Sequence, residues 1–162
     1  MKILALFGIL ISIIFLNCSS QRNITTKKSK QEFLQWIIEQ QSEKQIYKQP
    51  IELSIEKFWK LKAHANFSKE DSIELQSQIE LNNKTAIDVK LPSNKTFITD
   101  VENEDTYLKI TNPIFFDDGK KVWIYMQHHS AGKSGSETVE VYEVNDKRYK
   151  RHSGMFIWDR GE

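Results

Sequence analysis

The sequence predicts an α+β domain in which two or three N-terminal helices pack on a C-terminal antiparallel meander sheet. Three observations predict it. Apolar residues recur at helical spacing twice before residue 82. From Thr106 onward the period changes to two. Turn chemistry at Asp117-Asp118-Gly119-Lys120 and Asn145-Asp146 then divides the extended runs.

Ser29-Lys30-Gln31-Glu32 has the pattern of a capping box. Phe33, Leu34, Ile37 and Ile38 follow as one apolar stripe with Trp36 beside them, so a helix is expected to about Gln45, with Pro50 closing the segment. Ile51, Leu53 and Ile55 alternate, whereas Ile55, Phe58, Trp59 and Leu61 share a helical face. A short extended entry and a helix from Ser54 to about His64 reconcile the two. Ser68-Lys69-Glu70-Asp71 starts a further helix, with Ser68 as cap and acids in the first turn. Ile73, Gln76 and Ile79 mark its stripe, and Asn82-Asn83 ends it. Residues 84–105 read as irregular, with an extended piece at Ala86–Leu91 and a turn at Pro92-Ser93-Asn94.

Tyr107–Thr111 is predicted extended. Pro113–Phe116 leads into a hairpin at Asp117–Lys120, where Gly119 can take positive φ. Lys121–His129 is the best strand, with Val122, Ile124 and Met126 on one face and Trp123 and Tyr125 on the other. Ser130–Ser136 reads as a flexible loop, Glu137–Val144 as a strand and Arg148–Trp158 as the last strand. One sheet face is expected to lie under both the Ser29 and Ser68 helices. The other either packs against residues 84–105 or stays open as a recognition face of Trp123, Tyr125, Tyr142, Phe156 and Trp158.

Composition fits a folded domain. Of 162 residues 39% are hydrophobic and 28% charged, with 4 Trp, 5 Tyr and 9 Phe against 6 Gly and 3 Pro, which is not the profile of a disordered chain. Lys plus Arg number 23 and Asp plus Glu 22. This balance gives no general reason to bind nucleic acid. The basic run Lys147–Arg151 reads as solvated strand and turn positions. The single cysteine, Cys18, excludes an intramolecular disulfide and thiolate zinc sites.

Met1-Lys2 followed by the apolar run Ile3–Leu16 reads as a secretory leader, too short to remain comfortably as a membrane anchor. Cys18 directly after it resembles a bacterial lipoprotein cleavage site, in which the cysteine becomes the first mature residue and carries acyl chains. Phe15 and Asn17 depart from the usual aliphatic and small residues at that site. Ordinary cleavage after Ser20, giving a secreted soluble chain, is the competing reading. On the lipoprotein reading the organisation is a signal peptide over 1–18, a polar tether over 19–28 and one domain over 29–162, held at the cell envelope by acylated Cys18.

No motif commits the chain to a reaction, a metal or a cofactor. Gly132-Lys133-Ser134 lacks the earlier glycine of a phosphate loop, since Gln127 stands there. His128 and His129 are neighbours on a strand and so point apart. A hydrolase-like site would have to gather His64, His128, Asp117 and Glu137. The favoured expectation is a non-catalytic binding module. The alternatives are such an enzyme, or an inhibitor or immunity-type partner of one exported protein.

The stretch Ile110–Phe116 (ITNPIFF), the following DDGKKVWIYM, a Gly-bearing loop and a closing hairpin with a Trp resemble a group of small exported proteins of unknown function common in Bacteroidetes-type bacteria. The helix start at Phe67–Asp71 is also similar, so the resemblance covers roughly residues 67–158, and its most specific element is the Asn112–Phe116 step. Where that group carries Cys-Gly-x-x-Cys-Gly, this chain has Ala131 and Ser134 beside Gly132 and Gly135. The resemblance implies the fold and an exported address, and no activity.

Overall fold

A computed structural model describes residues 28–62, 65–100, 106–131, 133–146 and 148–158. Among them are three helices and a seven-stranded mixed sheet: α1 (28–40), β1 (Gln45–Tyr47), α2 (Ile55–Leu61), α3 (Lys69–Asn83), β2 (Thr96–Ile98), β3 (Tyr107–Ile110), β4 (Ile114–Phe116), β5 (Lys121–Ser130), β6 (Lys133–Asn145) and β7 (Arg148–Trp158). The α+β class is as the sequence predicts. The strand order is β2-β1-β3-β5-β6-β7, with β4 also paired to β5.

The meander β5-β6-β7 and the pairings of β3 and β4 with β5 are antiparallel, but β1 runs parallel to both β2 and β3. The sheet is therefore mixed rather than purely antiparallel. The difference comes from two three-residue strands. Gln45–Tyr47 starts about where the first helix is expected to end, that helix stopping at residue 40, and Thr96–Ile98 lies in a stretch expected to be irregular. Ile46, fully buried between β2 and β3, is what draws the first of them into the sheet. Three residues are too few to register as an alternating pattern.

Each face of the sheet carries its own core. Val122, Ile124, Met126, Leu108 and Ile110 lie under Phe33, Leu34, Ile37 and Ile38 of α1, with Ile87 and Phe97 completing the cluster. Trp123, Tyr125, Val139 and Val141 lie under Phe58 of α2 and Leu75 and Ile79 of α3. The helices thus take opposite faces, where one face had been expected to hold both. A strand whose two faces are both apolar requires a cover on each side. The α3 stripe is correspondingly rotated: Leu75 and Ile79 are buried and Ile73 is exposed.

Local signals set the helix starts. Ser54 caps α2 by accepting from the Lys57 amide (3.0 Å). Ser68 and Asp71 form a reciprocal capping box on α3. Asp71 also accepts from the Asp117 amide (2.9 Å), which docks the start of α3 on the β4–β5 hairpin. Those amides hold its carboxyl below the usual range, against the opposing effect of partial desolvation. In that hairpin Asp117, Asp118 and Gly119 all have positive φ (54°, 52° and 78°), a region that Asp tolerates and Gly favours. Ser29 does not cap a helix, because it lies inside α1.

β3 and β4 are two pieces of one ladder along the same side of β5, separated by Thr111-Asn112-Pro113. Thr111 bridges the gap, its amide donating to Tyr125 O (2.9 Å) and its hydroxyl accepting from the Tyr125 amide (3.1 Å). Into the same gap α3 inserts its last turn. Asn112 Nδ2 donates to Asn82 O (2.9 Å) and Thr85 O (2.6 Å), while Asn82 Nδ2 donates to Pro113 O (3.1 Å). Lys30 of α1 donates to Asn82 Oδ1 (2.9 Å). Asn83 clasps the backbone of Leu53 from both sides, at 3.0 Å each. The Asn82-Asn83 pair, legible in sequence only as a helix stop, thus ties α1, α3 and the sheet together.

Candidate functional site

Of the segment expected as a loop, Ser130 belongs to β5 and residues 133–136 belong to β6. β6 begins at Lys133, and the β5–β6 ladder continues past a register shift between His128 and Ser130. Gly135 permits this, since a Cβ there would lie 2.4 Å from the His128 carbonyl oxygen. Near the shift, polar and aromatic side chains meet on both faces of the sheet.

On the α1 side, His128 Nδ1 lies 2.7 Å from Glu43 Oε1. The imidazole and the carboxylate are 21% and 10% exposed, so the pair is largely withdrawn from solvent. The hydrogen bond from His128 holds the Glu43 carboxyl below its usual range, against the desolvation that would raise it. Beside the pair is an open depression of about 520 Å³ lined by Ser42, Glu43, Lys44, Gln45, Thr106 and Ser130. On the opposite face His129 stacks on Tyr107 at 4.4 Å between ring centroids and 8° between planes, and Lys109 reaches over Tyr47 at 4.5 Å. The two histidines do point apart, as neighbours on a strand must. Gln127 links the Tyr125 hydroxyl (3.0 Å) to Glu137 (2.6 Å) on that same side.

A carboxylate at Nδ1 fixes the orientation of an imidazole and leaves Nε2 for other work. A hydrolytic centre needs more: a nucleophile in reach and donors for the developing oxyanion. The groups that sequence reasoning would gather for it are not brought together. Glu137 is engaged by Gln127. Asp117 sits in the hairpin at the far end of β5, paired with Lys121 at 3.1 Å, about seven strand residues or roughly 23 Å from His128. His64 lies outside the described residues. The carboxylate that does meet His128 is Glu43, which falls within the stretch expected as helix, and nothing in its sequence neighbourhood marked it.

The aromatic recognition face is not assembled either. Trp123 and Tyr125 are fully buried under α2 and α3, and Tyr142 is 6% exposed on the opposite face, packed against Phe33 and Trp36. They are core because each face has its own helical cover. Phe156 is 53% exposed. Trp158 belongs to β7, its side chain lying outside the described residues, as does Cys18.

A second polar cluster is built on β6 and β7. Glu140 accepts from the Tyr142 hydroxyl and pairs with Arg151 Nη2 (2.8 Å). Arg151 reaches it by crossing Gly154, where a Cβ would lie 2.3 Å from the guanidinium. Burial, and then the hydrogen bond to Glu140, push the Tyr142 phenol well above its ordinary range. Three groups that satisfy one another this fully make a structural bridge between strands. Among the described residues no group of three or more His, Cys, Asp or Glu could hold a metal ion, and no helix is long and apolar enough to cross a membrane.

Comparison of the chain with protein-family models, with curated proteins and with solved structures finds no match in any of the three.

Proposed function

We propose that this chain is a lipid-tethered, exported binding module that works at the cell envelope without catalysing a reaction. The observation that carries the reading is the sequence from Met1 to Ser20: a positive start, a 14-residue apolar run over 3–16 and the chain's only cysteine two residues later. Acyl chains on Cys18 would hold the domain at a membrane surface, and more than one chain gives stable anchoring. The polar residues that follow would then serve as the tether. The same reading groups the chain with the small exported proteins that its Asn112–Phe116 step resembles.

Two features of the domain support binding over catalysis. Among the described residues the depression beside His128 is open, whereas catalysis profits from a water-excluded site. The acids and histidine that a hydrolytic site would draw from Asp117, Glu137 and His128 are separated or engaged elsewhere. Mass spectrometry of the chain recovered from membrane fractions tests the address. The expected product begins at Cys18 with acyl mass added, and Cys18→Ala leaves an unprocessed or soluble chain. A native polypeptide that begins at Gln21 without acyl mass overturns the tether.

A further inference from the structure

We infer that α3 seals the outer edge of β4 in the manner of a strand, and that the edge it covers pairs with a second copy of this chain when the seal opens. The inference goes beyond the binding reading above and does not depend on it. Among the described residues three strands stand at margins of the sheet. They are β2, β7 and β4, the last having β5 on one side and no strand on the other. Phe116 O accepts from the Gly119 amide inside the hairpin (3.1 Å), so by alternation the backbone of Phe115 faces away from β5. A bare apolar edge invites pairing with another strand, and a covering helix is one way to prevent it.

The cover is made of polar side chains. Gln78 and Asn82 follow Asp71 by seven and eleven residues along α3, about two and three turns, so the three share one stripe. Gln78 lies across Phe115: its Nε2 donates to Phe115 O (2.9 Å) and its Oε1 accepts from the Phe115 amide (3.3 Å). Asp71 Oδ1 accepts from the Asp117 amide (2.9 Å), and Asn82 Nδ2 donates to Pro113 O (3.1 Å). The lengths agree. Eleven helical residues rise about 16 Å, and the strand from Pro113 to Asp117 advances about 14 Å. Every outward backbone group of residues 113, 115 and 117 is thereby met, because Pro113 has no N–H and Asp117 O is taken by the Lys120 amide (3.0 Å). Little apolar surface holds α3 down: Leu75 and Ile79 are buried, but Ile73 and Leu81 are exposed.

The edge under α3 selects its own occupant. Its groups in chain order are Pro113 O, Phe115 N–H, Phe115 O and Asp117 N–H. A two-fold axis at Phe115 carries each donor onto an acceptor. The Phe115 N–H of each copy then meets Phe115 O of the other, and each Asp117 N–H meets a Pro113 O, which replaces every one of these bonds to α3. Ile114-Phe115-Phe116 carries no charge to oppose such pairing and has strong strand preference.

The test uses the full chain as processed in vivo, in density-matched detergent, and follows its mass by sedimentation equilibrium. Wild type should sediment as one copy. Gln78→Ala removes both bonds to Phe115 and should strengthen self-association roughly tenfold. The assembly should stop at two copies, because a two-fold contact closes on itself. Gly135→Ala, which disturbs the β5–β6 shift instead, should remain a single copy. In a mixture of isotope-labelled and unlabelled Gln78→Ala chains, an intermolecular NOE should join Ile114 Hα of one copy to Phe116 Hα of the other, since these become a closely spaced pair. A Gln78→Ala chain that stays single, a wild type already paired, equal association by Gly135→Ala, growth beyond two copies or absence of that NOE each overturns the proposal. Should Gln78→Ala fail to fold, amide exchange of wild type decides. The Phe115 and Asp117 amides should exchange through a smaller opening than the Ile114 and Phe116 amides, which the β5 ladder holds. Exchange of all four only together with the whole sheet overturns the seal.

Discussion

Replacing Asn82 with alanine should be among the most damaging single polar substitutions in the domain. Asn82 is 6% exposed, and two bonds of good length depend on its side chain: Nδ2 to Pro113 O (3.1 Å) and Lys30 Nζ to Oδ1 (2.9 Å). A third, to Asn112 O, is 3.4 Å and counts for little. Removal leaves a buried carbonyl and a half-buried ammonium without these partners. Partial burial already holds the Lys30 pKa below its usual value, so losing the Asn82 oxygen is not offset in full by water. At about 1–2 kcal/mol for each orphaned group, the loss is about 3 kcal/mol. For a domain of this size that corresponds to a fall in thermal midpoint of about 10 °C. Urea titration is the assay, with the midpoint lowered and the slope unchanged. Lys30→Met supplies the check, because in that background no ammonium is stranded and Asn82→Ala should cost about 1 kcal/mol less. A loss under about 0.5 kcal/mol in the wild-type background, or strict additivity of the two substitutions, would refute the reasoning.

Trp123→Ala should cost about 3–5 kcal/mol through the cavity it opens. Trp123→Phe should cost under about 2 kcal/mol, because the indole N–H that it also removes has no hydrogen-bond partner among the described residues; both are read from urea midpoints. Tyr142 has a folded pKa raised by burial and by Glu140, so its contribution is fully present below the unfolded phenol pKa of about 10 and is lost as pH rises further. Stability of the wild type should therefore fall above pH about 10, and the fall should be shallower in Tyr142→Phe. Glu43 has a folded pKa lowered by His128, so its contribution is present above the unfolded carboxyl pKa of about 4.3 and is lost as pH drops through the lower folded value. Glu43→Gln should be less stable than wild type at pH 6 and should lose less on acidification, as followed by acid titration of circular dichroism. Gly135→Ala should cost about 1–3 kcal/mol, since its Cβ meets backbone that has no room to yield, and its amide-exchange protection should fall near the β5–β6 shift.

Much of the fold is legible where a pattern spans many residues. Phe33, Leu34, Ile37 and Ile38 declare one face of α1, and alternation along Lys121–Ser130 declares the central strand with the right residues on each side. Ser54 and Ser68 mark two helix starts, and Asp117–Lys120 marks the hairpin. These signals are local: capping, φ preference and periodicity depend on residues within a turn or two of one another. The strands Gln45–Tyr47 and Thr96–Ile98 leave no comparable trace. Their extended conformation comes from pairing with each other, and in the first case also with β3, across about 50 residues of chain.

The candidate site was hidden for the same reason. His128 stands out as a histidine on a strand, but its partner Glu43 is 85 residues away. The aromatic set Trp123, Tyr125 and Tyr142 looked like a surface because sequence cannot say how many layers cover a sheet. That question belongs to tertiary structure. The sequence by itself determined that the chain folds, where two helices and the central hairpin begin, and which side chains share a strand face. Only the folded arrangement decided that the helices divide between the two faces, that β1 runs parallel to its neighbours, and that His128 meets Glu43. Those outcomes rest on burying apolar surface and pairing backbone between distant segments, and such energies exist only once the segments have come together.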